Sequence, residues 1–418
     1  MKRRTFIKNA SLAALSPFVL QLMNSCTKVV AGKKPVFVFV QLIGGNDSLN
    51  TLIPLNNYKK IVEARPNLFI PEKHILPLTG TSVNGLHPSL THIQEMYNNN
   101  LVSFVQGVGY DNPNYSHFRS SDIYLTGSSA SEILSTGWMA RYLETLYPDY
   151  PKGFPSAIKP DPPAIKMGDT GTFLFEGSTM DMSIVIDPAS EFEAPDVSDV
   201  NSNDLTLAAK EVKAIRDMLL QTKHYAPTLK SALAVPFKHS SLYPEKGVNP
   251  LADQFKLVAK LINSGLNTSV YMVDLKGFDT HDNQVATDDS TKGPHSELLS
   301  QLSQGIACFW DDIEKMGRQQ DVAGMVFSEF GRRIMSNASY GTDHGSSQAV
   351  MFFGANLKQG IIGNNPLIPE KLTVNDNLAV EYDFRSVYAS VLKGWFKADE
   401  QSITKAVGQQ SLLEIFTS

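Results

Sequence analysis

Five short apolar runs separated by helical patterns constrain this chain more than any other feature. Residues 36–43 read VFVFVQLI, β-branched or aromatic at most positions, which suits a strand buried on both faces. Residues 101–108 (LVSFVQGV), 269–275 (SVYMVDL), 322–327 (VAGMVF) and 348–353 (QAVMFF) repeat the type. Between them, apolar residues recur at helical spacing over 90–98, 138–147, 205–220, 250–264, 296–316 and 384–396. The alternation predicts an α/β domain built on a mostly parallel sheet flanked by helices on both faces. The stretch 147–204 breaks the rhythm. It is rich in Pro, Gly, Asp and Ser, with short strand-like pieces FLFEG and MSIVID. It is expected to form an insertion or small cap, over residues 148–204, beside the main sheet.

The N-terminus carries a different signal. Lys2, Arg3, Arg4 and Lys8 form a basic segment, and Arg3-Arg4-Thr5-Phe6-Ile7-Lys8 fits the twin-arginine pattern. The apolar stretch that follows, from Ala10 to Met23, is interrupted by Pro17. It falls short of the ~20 residues a bilayer span needs. Residues 1–30 therefore read as a twin-arginine signal peptide and 31–418 as one domain. The expectation is export to the periplasm or cell envelope, with the twin-arginine translocase as a partner. Cys26 follows Met23-Asn24-Ser25, where a lipoprotein leader would be cut, so the leader is either lipid-anchored at Cys26 or plainly removed. That lipid is the one membrane tie the sequence offers. The other cysteine is Cys308, so losing Cys26 to lipid or cleavage leaves no intrachain disulfide. The net charge of −5, more acidic still without the basic leader, argues against nucleic-acid partners.

Ligands of open α/β sheets bind outside the carboxyl ends of the strands, so polar residues there come first. The first run ends in Gly44-Gly45-Asn46-Asp47, which puts Asp47 at the mouth of the sheet or makes it a helix cap. The run SVYMVDL leads to Asp279-Thr280-His281. A carboxylate and an imidazole two residues apart can face one ion, zinc or manganese foremost and calcium as a third choice; the alternative is a capping Asp with a surface His. VAGMVF leads to Glu329, followed by Arg332 and Arg333. These guanidinium groups suit a planar anion, or a solvated helix face. Asp343 and His344 form a fourth cluster. Four independent caps are less probable than one shared polyvalent site.

After the second run, residues 113–122 (PNYSHFRSSD) open a short helix, whose start favours an anion. A nucleophile there, beside a metal, would have its pKa lowered, and Ser116 and His117 are the candidates; the alternative is a capping Ser with a packed His. His87 falls near these segments, whereas His74, His92, His224, His239 and His295 read as surface or helix-face residues. No P-loop, dinucleotide fingerprint or GxSxG elbow is present.

Together the leader, GGNDSLNTLIP, GLHPSL, NYSHFRSSDIYLTG, TGWMARYL, GFDTHDNQ, FSEFGRR and GTDHG resemble a family of exported bacterial proteins described only as a domain of unknown function. That family is similar to the alkaline phosphatase and sulfatase superfamily. The resemblance implies an alkaline phosphatase-like sheet, a metal at the strand ends, and a nucleophile at a helix start. Asp47 matches the first-strand ligand, Asp279 and His281 the Asp and His of one metal, and His344, beside Asp343, the late His. Glu329 falls where an Asp followed by His or Asn would stand, but Phe330 takes the next place. Counting back from Gly127 in the superfamily spacing lands on His117, with Ser116 one place earlier. No CxPxR or SxPxR signature of formylglycine sulfatases is present. Two expectations follow. One is a metal-dependent hydrolase of phosphate or sulfate esters, small-molecule or glycan, in which Arg119 or Arg332 steadies the anionic transition state. The other is a noncatalytic exported protein that keeps the fold and binds a glycan, peptide or partner.

Overall fold

Along the first strand, β1 (Val36–Ile43), Val36, Val38, Val40 and Leu42 point to one side of the sheet and Phe37 and Phe39 to the other. The two-residue period of a strand thus gives it two buried faces. The chain is described here in a computed structural model for residues 34–168, 171–188 and 207–417, without the side chains of 207–211, 213–215 and 218. The expected signal peptide, Cys26 and residues 189–206 of the expected insertion lie outside the described residues.

The remaining strands are β2 (Leu52–Pro54), β3 (Leu76–Pro77), β4 (Asn84–Leu86), β5 (Val102–Gly109), β6 (Ala164–Met167) and β7 (Ser183–Ile186). They continue as β8 (Val270–Lys276), β9 (Val322–Ser328), β10 (Gly331–Ser336), β11 (Thr342–Gly345), β12 (Gln348–Gly354), β13 (Gly360–Ile362) and β14 (Tyr382–Asp383). The main sheet runs β13-β5-β12-β9-β1-β8-β6-β7, with β14 also on β5. Only β12 opposes the others, being antiparallel to both β5 and β9. Between β9 and β12 the chain forms only the separate β10–β11 hairpin and no helix, so no crossover helix joins these two neighbours.

Helices cover both faces. On the side of Val36 and Val38 lie α1 (Thr91–Asn98), α4 (Leu207–Ala234), α5 (Pro250–Asn263) and α6 (Pro294–Lys315). On the side of Phe37 and Phe39 lie α2 (His117–Thr126), α3 (Trp138–Leu146), α7 (Phe384–Gly394) and α8 (Glu400–Val407). The five predicted strands and the mostly parallel sheet are therefore present.

The 148–204 region differs from its expectation. AIKM and SIVI form β6 and β7, parallel strands that end the main sheet with β7 at its edge, so this part lies in the sheet and not beside it. Four-residue strands are too short to display a period against their Pro- and Gly-rich surroundings. FLFEG instead makes a 3₁₀ turn over Phe173–Phe175. None of the described helices is long and apolar enough to cross a membrane.

Register positions the site. Ile43 of β1 lies beside Lys276 of β8, and Leu42 beside Ser328 of β9, so the loops leaving three neighbouring strands start level. Gly44, with φ of +124°, lets the β1 loop touch the β8 loop: a Cβ there would sit 2.1 Å from the backbone nitrogen of Asp279.

Candidate metal centre

The loops after β8 and β9 and the start of α2 bring three imidazoles to one carboxylate. His117 is the first residue of α2, Asp279 and His281 follow β8, and His344 lies on β11 opposite Arg332 of β10. His117 Nε2 is 3.3 Å from Asp279 Oδ2. His281 Nε2 and His344 Nε2 are each 3.4 Å from Asp279 Oδ1 and 2.8 Å from one another. His117, Asp279 and His344 each offer a ligand atom within 4.8 Å of the others.

The other ring nitrogens settle the tautomers. His344 Nδ1 lies 2.6 Å from the Tyr115 carbonyl, which can only accept, so Nδ1 is the donor. His281 Nδ1 faces Asp343 Oδ1 at 3.2 Å, and His117 Nδ1 faces the buried Glu329 Oε1 at 2.8 Å. In the neutral rings all three Nε2 atoms are then lone pairs aimed at one carboxylate. His117 Nε2 is buried without a hydrogen-bond partner. Two such lone pairs 2.8 Å apart repel unless a proton or cation lies between them. Neighbouring ligand atoms around tetrahedral zinc, with bonds of about 2.0–2.1 Å, lie roughly 3.3 Å apart. The 3.3–3.4 Å from Asp279 to each imidazole matches that shell, whereas the 2.8 Å between His281 and His344 is shorter than it. The set whose ligand atoms all lie close together is His117, Asp279 and His344, with His281 beside it.

Ionisation follows the same contacts. The hydrogen bond to Glu329 raises the pKa of His117 above its usual value, against partial burial. Burial, opposed by the Tyr115 carbonyl and reinforced by Arg332, lowers that of His344. For Asp279, burial disfavours the charge, but the hydrogen bond and charge of Arg332, with His117 and His281, win and lower the pKa. Asp343 is likewise lowered, as Asn337 and His281 outweigh its burial.

The remaining predicted residues are placed elsewhere. Asp47 is buried, with both oxygens on Arg65 Nη1 (2.9 and 2.6 Å) and Gln284 Nε2 at 2.7 Å on Oδ2. It neither joins the imidazoles nor caps the following helix. Glu329 stands one shell back: it accepts from Gly44 N at 2.9 Å and Ser328 Oγ at 3.1 Å besides holding His117. Asp343 stands behind His281. Ser116 is exposed and its hydroxyl makes no cap bond.

Arg119 donates to the carbonyls of Ser129, Ala130 and Glu132, turned to its own loop. Arg332 is buried on a strand, not on a solvated helix face. It donates to the carbonyls of Gly44, Gly45, Phe278 and Thr342 and, at 3.0 Å, to Asp279 Oδ1. The Arg332 guanidinium is bonded at all three nitrogens and is not open to an anion, while Arg119 engages its loop through Nη2.

The sequence reading missed several members. Phe330 packs its ring 4.9 Å from His117 and 4.3 Å from His344. Arg65 also donates to the carbonyls of Ile334 and Arg333, and carries no motif. His295, read as surface, is buried with Nε2 3.0 Å from Asn46 Oδ1. His239 is held by the buried Asp312 at 2.8 Å. A cavity of about 870 Å³ opens at the ends of β6, β7 and β8, but the imidazoles do not line it.

No curated protein matches the chain in sequence. Among solved structures it is similar to a phosphonate monoester hydrolase from Silicibacter pomeroyi, with 9% identity, a TM-score of 0.41, and 91% of this chain and 76% of that chain covered. It is similar to PsFucS1 sulfatase from Pseudoalteromonas sp., with 11% identity, a TM-score of 0.40, and coverage of 94% and 76%. It is also similar to the alkaline phosphatase of the Antarctic bacterium TAB5, with 10% identity, a TM-score of 0.34, and coverage of 79% and 95%. Residues 221–407, which carry Asp279, His281, Glu329, Arg332 and His344, match the family model described as protein of unknown function, DUF1501.

Proposed function

We propose that His117, Asp279, His281 and His344 hold one divalent cation, zinc first and manganese second, and that the protein is an exported hydrolase of phosphate or sulfate esters. The observation that carries this is the convergence of three Nε2 lone pairs on one carboxylate, each ring fixed from behind. A cation bound there would polarise an ester oxygen and make water a nucleophile near neutral pH. Glu329, Asp343 and the Tyr115 carbonyl keep the imidazoles in the ligating tautomer. Arg332 holds Asp279 ionised. Asp279 and His281 keep nearly half their side-chain surface exposed, so an ester reaches the centre from solvent. With His117 turned inward, water is the attacking group, and Ser116 is dispensable in this reading.

A second reading is a noncatalytic metal-binding protein. Four protein ligands would close a tetrahedron, as in structural zinc sites, and Arg332, a candidate anion-binding arginine, is spent on carbonyls and Asp279.

Metal analysis of the purified protein tests the shared premise: one ion per chain is expected, lost in Asp279→Ala. A panel of aryl phosphate monoesters, diesters and sulfate esters then separates the readings. Turnover in the wild type and in Ser116→Ala, absent from Asp279→Ala, is expected; a retained ion with no turnover supports the binding role. Export through the twin-arginine route, with or without a lipid on Cys26, belongs to the same proposal. Replacing Arg3 and Arg4 by Lys is expected to keep the protein out of the periplasm.

A further inference from the structure

One buried amide ties the two ligand-bearing loops together. Gln284 is fully buried in the loop after β8. Its Oε1 accepts from Thr280 Oγ1 at 3.1 Å and Thr342 Oγ1 at 2.7 Å, while its Nε2 donates to Asp47 Oδ2 at 2.7 Å. The amide orientation is fixed by chemistry, because the carboxylate of Asp47 can only accept. Thr280 stands between Asp279 and His281, and Thr342 two residues before His344. The backbone repeats the link: Thr342 N donates to Thr280 O at 3.2 Å, and Gln284 N to Tyr340 O at 2.8 Å. Asp47 is locked by Arg65, which is anchored on the carbonyls of Arg333 and Ile334 in β10, the partner of the strand carrying His344. The network is closed on itself.

We propose that Gln284 is a positioning residue that, through Thr280 and Thr342, sets the distance between His281 with Asp279 on one loop and His344 on the other. The inference rests on the reading of these side chains as cation ligands. The Gln284 amide and the two threonine hydroxyls touch no ligand atom, so they act on the centre by placing the two loops, beside the Arg332 link from the Thr342 carbonyl to Asp279. A looser spacing separates ligands that must approach to roughly 3.3 Å around one ion.

The test is Co(II) titration of the full chain, read by its d–d absorption, in wild type, Gln284→Met, Thr342→Val and Thr342→Ser. Thr342→Val removes the hydroxyl at nearly constant shape, and Thr342→Ser restores it. Wild type and Thr342→Ser are expected to share one affinity and one spectrum. Gln284→Met and Thr342→Val are expected to bind about 10–100-fold more weakly, with an altered spectrum. Thr342→Val with wild-type affinity and spectrum would overturn the proposal, and it decides alone if Gln284→Met fails to fold. If the wild type binds no Co(II), the ligand reading itself falls. The imidazole nitrogen shifts of His281 and His344 in the cation-free protein then judge the clamp: unchanged shifts in Thr342→Val overturn it.

Discussion

At the scale of single residues, the centre depends on what stands behind each imidazole. Glu329 is fully buried, and its Oε1 takes both His117 Nδ1 and the backbone N–H of Gly44. Replacing it by Gln keeps the shape and removes the charge. Glu329→Gln is expected to lower the pKa of His117 in the metal-free protein, since the raised value comes first from that hydrogen bond. Zinc affinity is expected to fall about 10–100-fold, the usual effect of removing such a support. NMR titration of the His117 ring and competition with a chelator check both, and an unshifted His117 titration would refute the assigned role. Asp279 and His281 were legible because they follow a buried strand at short spacing, and His344 because it stands just before one. His117 was legible only as a nucleophile or packed residue, because nothing in a sequence says which way an imidazole at a helix start turns. Asp47 stood where a ligand is expected, yet the residue that claims it, Arg65, lies 18 positions on and outside any motif.

At the scale of elements, the β10–β11 hairpin carries His344 and is moored by the buried Arg65–Asp47 pair. Both side chains are almost wholly excluded from water, so removing one partner leaves an uncompensated charge. Arg65→Met is expected to destabilise the fold by about 3–5 kcal/mol in urea unfolding. Adding Asp47→Asn to it is expected to recover much of that loss, because no charge then remains buried alone. A double variant no more stable than Arg65→Met would show that lost packing, not charge, dominates. The strands of the sheet centre were legible because burial on both faces writes an unbroken apolar run. The hairpin was not, since its arms read GRRIMS and TDHG, and it is moored by Arg65 and Gln284 from distant loops. The edge strand β7 was legible as the strand-like piece MSIVID, while β6 escaped because four residues are too few to show a period.

At the scale of the whole molecule, the titrating groups pull stability in opposite directions with pH. His87 and His295 are buried in one core region, their rings 6.0 Å apart. Burial, helped by the charge of His295, pushes the pKa of His87 down to about 3, and burial pushes that of His295 down to about 4. Both sit near 6.5 in the unfolded chain. Below pH 6.5 the unfolded chain therefore takes up protons that the folded one refuses. Each site then removes about 1.4 kcal/mol of stability per pH unit until its folded pKa is reached. His117 acts in the contrary sense. Its raised pKa supplies stability that is complete below 6.5 and lost as pH rises through the folded value. Asp279, with its lowered pKa, contributes above 3.8 and loses its contribution as pH falls through the folded value. Asp181, whose carboxyl is pushed up to about 6 by burial, offsets part of this acid loss, and His344, lowered by burial, adds to it. The metal-free protein is therefore expected to be less stable at pH 4 than at pH 6.5. In His87→Asn, which keeps an acceptor for the Ser89 N–H and cannot titrate, the acid slope is expected to shrink by about 1.4 kcal/mol per pH unit between pH 4 and 6. Urea unfolding in chelator at pH 4, 5 and 6 measures it. An unchanged slope in the variant would mean that His87 gains its proton in the folded state, and that the core around Asn46 and His295 opens before the molecule does.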